Sequence, residues 1–453
     1  MVMDIQENKK KRFYVERNEV LILIGIFFLG FSTAMFSPYV PIWLARIFEV
    51  KSYFILGFAA IIPNLVIIFG TTIWGIAADR FGNKYFVVLG LLGSSLMYFT
   101  LLFINTATIF LVVLLVGNIF ISAQTSNFYS FATVTSKKKK EVILGEITAT
   151  FSFSWLLSSP LAAFIHDNAY TFSLKWYTSI PFDQLLIHDS LNPSNFISRL
   201  ALALSKFFSP AIAQNPAQGV QIFIAIICCL ISFIIILFTK NDKLNKQDKK
   251  QQEEKPTKGK ITDFTSIFVI LMIIAFFQQA TSGGFWAYAS LYFIDHLQTP
   301  ATYFGYFLIA TTALGVIISV ILGRIIKIKK VMISILVCTF IQLMAYIIIA
   351  IFPTNSTLDL VVYSFPMYVV AGISLYSLVG SFSNKLRRAT AYGIFNTIGL
   401  SGLISIVLFL GLAADKLPQG IMVMPIFAMI ISIFPLLFSV ILFAFLIKKH
   451  TLF

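Results

Sequence analysis

Between residues 19 and 447 the chain alternates long apolar runs with short polar breaks. A helix needs about 20 apolar residues to cross roughly 30 Å of hydrocarbon. Twelve runs reach that length, over 19–47, 53–78, 85–104, 109–134, 142–165, 220–239, 266–294, 301–326, 331–352, 360–383, 391–414 and 421–447. Inside hydrocarbon a backbone must satisfy its own N–H and C=O groups, so each run is predicted to be a helix. The pattern predicts an all-α membrane protein.

The polar breaks differ in charge. Lys9 to Arg12, Arg80 and Lys84, Lys137 to Lys140, the lysine-rich stretch 240–260, Lys327 with Lys329 and Lys330, Lys385 with Arg387 and Arg388, and Lys448 with Lys449 fall in alternate breaks. The other breaks hold only Arg46, Lys51, Lys175, Arg199, Lys206 and Lys416. Positive charge concentrates on the cytoplasmic side, so both termini are expected there, as an even number of crossings requires. Composition agrees with a bilayer: 58% of residues are hydrophobic, 12% are charged and mean hydropathy is +0.88, against about 45–50% apolar in soluble domains. The net charge of +15 therefore belongs to membrane topology and not to a nucleic-acid partner. The first apolar run is too long for a signal-peptide core and lacks an A-x-A-like cleavage site, so it reads as a retained helix. Cys228, Cys229 and Cys338 lie inside spans and read as small core residues.

The stretch 240–260, KNDKLNKQDKKQQEEKPTKGK, is charged, contains Pro and Gly, and has no apolar period; it reads as a flexible linker between six spans and six. The two sets repeat one plan. Gly75, ending the second span, precedes Gly323, ending the eighth, by 248 positions, and Gly145 precedes Gly393 by the same 248. The register breaks only after the fifth span, where the first half carries roughly 47 extra residues on the outer side. The expected organisation is a cytoplasmic tail over 1–18, a six-helix bundle over 19–239 with an outer insert at about 166–219, a linker over 240–265, a parallel six-helix bundle over 266–447 and a tail over 448–453. In the insert, Phe196, Leu200, Ala203 and Phe207 have helical spacing with Arg199 and Lys206 among them, as in an amphipathic helix lying at the interface.

One break is distinctive: GIAADRFGNK, Gly75 to Lys84. Gly75 would let a neighbouring helix approach closely. Gly82 would permit a turn that strains other residues. Asp79, an anion at a helix end, can accept bonds from the N–H groups of another helix's first turn, where the helix dipole is positive. This stretch resembles the G-x-x-x-D-R-x-G-R-K signature between the second and third helices of the major facilitator superfamily. Gly75, Asp79, Arg80, Gly82 and Lys84 match it and Asn83 replaces a base. The resemblance implies the twelve-helix fold of two parallel bundles, a moving inner gate, and docking of Asp79 on the start of the eleventh helix, around Thr390 to Gly393. SPYVPIWL, Ser37 to Leu44, is similar to the proline-bearing first helix of drug-exporting members, and RRATAYGIFNTIGLSGLI, Arg387 to Ile404, looks like their eleventh. SSPLAA, Ser158 to Ala163, keeps only the small residues and proline of the antiporter pattern in the fifth helix. The buried arginine of the fourth helix is missing from LLVGNIFISAQ, Leu114 to Gln124, which argues against proton antiport.

In such transporters the site is expected near the midplane where the halves meet. No Lys, Arg, Asp or Glu falls mid-span; Glu146, just inside the fifth span, is the one candidate for a coupling proton. Uncharged polar and aromatic residues do fall at that depth. Gln279, Ser282 and Trp286 share a face of the seventh span, with Gln278 beside them and Gly283 and Gly284 as points where the helix could flex. Gln124 and Asn127 lie one turn apart in the fourth span, Ser152 and Trp155 in the fifth, Ser32 and Thr33 in the first, and Tyr368 in the tenth. Their alternative role is bonding between membrane helices. As a cavity lining they favour neutral or amphipathic organic molecules.

Enzyme motifs are absent: His166, His188, His296 and His450 sit in loops or at ends without ligand spacing, and no phosphate-cradling loop occurs, so neither cofactor nor ATP is implied. Asn355-Ser356-Thr357 is a glycosylation sequon on the outer side. The expected protein is a monomeric secondary transporter of the cell membrane working by alternating access, an exporter of small organic solutes with protons as candidate coupling ion. A facilitator of a neutral solute such as a sugar is the alternative, and a transport-dead sensor or scaffold the third reading.

Overall fold

The computed structural model describes residues 2–136, 140–176, 216–239, 266–325, 328–353, 356–365, 367–382 and 388–448. Among them are fourteen α-helices and no strand. They are α1 (Val2–Phe36), α2 (Val40–Arg46), α3 (Tyr53–Phe81), α4 (Asn83–Leu101), α5 (Ala107–Thr135), α6 (Lys140–Trp176) and α7 (Pro216–Leu237), then α8 (Ser266–Ser290), α9 (Ala301–Ile325), α10 (Ile328–Ile351), α11 (Ser356–Tyr363), α12 (Met367–Phe382), α13 (Arg388–Lys416) and α14 (Val423–Lys448). Eleven stretches of the described residues are long and apolar enough to cross a membrane, and Val370–Val379 within α12 is a shorter apolar helix.

Where the helices depart from the predicted spans, prolines and extended helix ends account for it. The first span is helical from Val2, so the segment expected as a plain tail over 1–18 continues α1. It breaks at a 3₁₀ turn, Ser37–Tyr39, with Pro38 at its start, and resumes as α2 with Pro41 at its start; a proline has no N–H to donate to the preceding turn. The tenth span, expected as one helix over 360–383, is two: α11 ends at Tyr363 and α12 begins at Met367, after Pro366 in the sequence. The fifth span does not stop at 165, because α6 continues to Trp176, through the first part of the expected insert. The proposed amphipathic helix around 196–207, the linker over 240–265 and the last residues 449–453 lie outside the described residues.

The chain divides into two compact units, one of 1–49, 66–255 and 301–309, the other of 50–65, 256–300 and 310–453, so the division passes through α3 and α9. In the first unit α1 packs on α6 and α7, and α4 on α5 and α7. In the second, α8 packs on α13 and α14, and α10 on α12 and α14. Each pairing in one unit has its counterpart in the other, in the same chain order. Ile22, Ile26, Val87, Leu91, Phe131 and Ile147 form the apolar centre of the first unit. Leu271, Ile274, Met332, Ile335, Leu378 and Leu446 form that of the second.

Glycines set the closest approaches. A Cβ on Gly90 of α4 would lie 2.6 Å from the backbone N of Gln124 on α5, and one on Gly402 of α13 would lie 2.2 Å from the carbonyl oxygen of Phe276 on α8. Lipid offers no hydrophobic drive between helices, so such backbone contact supplies the dispersion that holds them. Phe69, Ile73 and Ile76 are exposed at helical spacing on α3, as expected of a stripe facing acyl chains.

Candidate functional site

The elbow between α3 and α4 is built around Gly82, whose φ of 99° lies in the left-handed region that glycine enters without strain. Its N–H donates to Ala78 O at 2.8 Å, closing α3, and the chain turns at once into α4. Lys84 then reaches sideways: its ammonium donates at 3.0 Å to the carbonyl of Leu237, the last residue of α7, and also to Thr239 O just beyond it. A cation at a helix C-terminus satisfies orphan carbonyls and opposes the negative end of the dipole. Lys84→Met is expected to lower stability by about 1 kcal/mol, read as an earlier thermal unfolding of the purified protein. Arg80 is exposed. Among the described residues nothing lies within 4 Å of where a Gly75 Cβ would be, so the close helix approach expected there is not made by any of them. The Asp79 side chain and those at the start of α13, Thr390 to Gly393, lie outside the described residues.

The physics expected of Asp79, a carboxylate seated on the first turn of another helix, is found at the other end of α3. Asp415 of α13 accepts from Tyr53 N at 2.6 Å, Phe54 N at 3.2 Å and Ser52 Oγ at 2.7 Å. In the first unit Asp167 of α6 accepts from Ala301 N at 2.8 Å, Thr302 N at 2.6 Å and the Thr302 hydroxyl, at the start of α9. Asp167 and Asp415 are 248 positions apart, as are Tyr53 and Ala301. Each carboxylate pairs with a close approach. A Cβ on Gly57 would meet the Tyr288 hydroxyl at 1.9 Å, and one on Gly411 would meet Phe54 Cα at 2.6 Å. A Cβ on Gly305, the counterpart of Gly57, would meet Ala163 Cβ at 2.6 Å. The Tyr288 hydroxyl, near both α3 and α13, donates to Val407 O at 2.8 Å and lies 3.2 Å from Tyr53 O. The 248-residue offset, applied to every acid at a span end, would have found this pair in the sequence.

The predicted lining residues divide by environment. Ser32 is fully buried, donates to Leu29 O at 3.1 Å and lies 3.1 Å from the Cys229 sulfur. Thr33 donates to Leu29 O at 2.9 Å. Asn127 is buried and its amide donates to Ala123 O at 2.7 Å. Gln124 is buried where Gly90 of α4 meets α5, and its Oε1 has no partner among the described residues. Gln278 is buried and donates to Gln342 Oε1 on α10 at 2.6 Å. Each of these groups lies inside its own unit; Ser32, Thr33 and Asn127 bond along their own helices and Gln278 to a neighbouring helix of its unit. Ser152 and Trp155 are half-buried, and the Trp155 indole N–H has no partner among the described residues.

Gln279 and Trp286 are exposed and Ser282 is half-buried, on the less covered side of an otherwise buried α8. Gly283 and Gly284 admit side chains of α13, since a Cβ would lie 1.9 Å from Leu403 Cδ1 and 2.7 Å from Ile406 Cγ2 respectively. The Tyr368 side chain lies outside the described residues. Glu146 is half-buried, one turn before Thr150, whose hydroxyl donates to its carbonyl at 2.8 Å. His166, expected in a loop or at a span end, lies within α6, buried and stacked on Tyr39 with ring centroids 5.3 Å apart.

The model of the Major Facilitator Superfamily matches residues 22–181 and 195–406. The chain belongs to that superfamily. Among solved structures it is similar to a D-xylose-proton symporter, at TM-score 0.69 and 12% identity over 95% of this chain and 97% of the other. A bacterial homologue of the human lysosomal transporter Spinster, inward-facing and unoccupied, gives TM-score 0.68 at 12% identity over 95% and 97%. The nucleoside transporter NupG gives 0.65 at 12% over 94% and 99%. No curated protein matches the chain. At this identity the structures establish the fold. Superfamily membership makes the chain a multi-pass membrane transporter of small molecules and not an enzyme.

Proposed function

We propose that the protein is a secondary transporter for small neutral or amphipathic organic solutes, working by alternating access in the export direction. The observation that carries this reading is the exposed face of α8, where Gln279, Ser282 and Trp286 offer hydrogen bonds and a ring but no charge. The amide can donate and accept, and the indole stacks on planar or apolar groups, a combination suited to an uncharged ligand. Two of the named neighbours are transporters of a sugar and of nucleosides, both uncharged, which agrees with that chemistry. The protein is placed in the cell membrane with both termini cytoplasmic, as a monomer. Asp79 is assigned to the inner gate, and Asp167 and Asp415 to the opposite ends of the helices.

A facilitator reading is favoured by one observation, that the sequence places no Asp or Glu mid-span to carry a coupling proton. Flux into proteoliposomes distinguishes the two, with a labelled pentose, a labelled nucleoside and a fluorescent lipophilic dye as probes and a pH gradient imposed in either direction. Gradient-driven accumulation of one probe is expected. Equilibration without accumulation would favour the facilitator, and uptake no faster than in protein-free vesicles would contradict both. For the transported probe, Gln279→Ala is expected to raise the half-saturating concentration roughly ten-fold, the loss of about 1–1.5 kcal/mol from one hydrogen bond.

A further inference from the structure

Two acids are buried among the described residues, and they are handled differently. Glu19 is 6% exposed and accepts from the Ser136 hydroxyl at 2.6 Å. Asp359 of α11 is 0% exposed, and neither of its oxygens has a hydrogen-bond partner of good geometry among the described residues. A carboxylate removed from water without a cation or full hydrogen bonding is costly to ionise, so such groups take up a proton instead.

A nest of rings lies along the next turn of α11. One turn further along α11, Tyr363 packs on Phe285 of α8 with centroids 4.9 Å apart and on Phe293 at 6.2 Å. Phe285 also meets Tyr292 at 5.5 Å and Tyr346 of α10 at 5.7 Å. Tyr292 and Phe293 belong to a π-helical turn, Leu291–His296, that ends α8; π turns interrupt helices frequently at functional sites. The Tyr292 hydroxyl lies beside the carboxyl and favours its ionised form, and among the described residues no Lys or Arg acts on its titration. The other titratable groups of this nest are phenols, Tyr346 and Tyr363, while Asp295 and His296 close the π turn, half-buried and exposed. Burial is the larger influence and pushes the Asp359 carboxyl up to about 7, the Tyr292 hydroxyl opposing it.

We infer that Asp359 is a proton-binding site, occupied while α11 is seated on the ring nest and emptied to water when that seat opens. On release the O–H bond gives its proton to water and its electron pair stays on the carboxylate oxygen. The ionised form cannot re-enter the nest without paying the desolvation that the neutral form avoids. Proton occupancy is thereby linked to the packing of α11 against α8 and α10. If the transporter reading holds, on which only this consequence rests, solute flux acquires a dependence on pH through this helix.

Infrared titration of the full-length protein in lipid, with no solute present, tests the site. The wild type is expected to lose a protonated-carboxyl band with a midpoint near 7 that Asp359→Asn lacks. Tyr292→Phe is expected to move that midpoint upward, because its hydroxyl favours the ionised form. A spectrum that does not differ between wild type and Asp359→Asn through neutrality overturns the site. Thermal unfolding gives a second readout. Between the ordinary 3.8 and about 7 the folded protein holds a proton that the unfolded chain has lost, so wild-type stability falls relative to Asp359→Asn as pH rises through that window. Parallel melting curves over the window also overturn it. Neither readout requires flux, so a failure of the transport reading would leave this result intact.

Discussion

Replacing Asp415 with alanine is expected to speed amide exchange at Tyr53 and Phe54, and replacing Asp167 to speed it at Ala301 and Thr302. Each carboxylate accepts from two backbone amides of a first helical turn, groups with no partner inside their own helix. Losing a cap of this kind costs about 1 kcal/mol, or roughly five-fold in local opening. Asp415 is exposed, so water takes back part of the loss; Asp167 is half-buried and its removal should cost more. Asparagine caps nearly as well as aspartate, so Asp415→Asn should keep most of the protection. Hydrogen exchange by mass spectrometry reads these segments separately. Unchanged exchange in both alanine variants would show that the caps hold nothing.

The second large effect is steric. Gly402→Ala places a Cβ where the carbonyl oxygen of Phe276 is 2.2 Å away, its carbon 2.9 Å and its Cα 3.1 Å. All three are backbone or Cα atoms, so no rotamer change relieves the clash and α8 must move from α13. Overpacking of this kind costs about 1–3 kcal/mol, occasionally more, and a marked fall in melting temperature and yield is expected. Gly75→Ala has open space and is expected to be neutral or to stabilise by up to about 1 kcal/mol, since alanine is the better helix former. Equal melting temperatures for the two variants would contradict the packing described.

Much of the fold was legible because lipid imposes it. A run such as 53–78 must be helical wherever it packs, and α3 is. The left-handed turn at Gly82 could be read from the residue type alone. What the sequence hid depends on partners brought together from far along the chain. Asp167 and Asp415 look like loop acids until the starts of α9 and α3 are set against them. Asp359 borders a predicted span without any sign that it is fully buried. Ser32 and Asn127 have the composition of a cavity wall, but their hydroxyl and amide turn to carbonyls of their own helices. Hydropathy reports how deep a residue lies, and not which way its side chain faces. The split of the tenth span was visible in Pro366 but overridden by the length of the apolar run.

The account rests on a carrier that exposes one site to each side in turn. Counterflow tests this most directly: vesicles preloaded with an unlabelled probe, diluted into a trace of the same probe labelled, with no ion gradient. An alternating-access carrier is expected to draw the label in above its equilibrium level for a time, because the site returns occupied. Label that rises only to equilibrium, at a rate that does not saturate, would contradict the account.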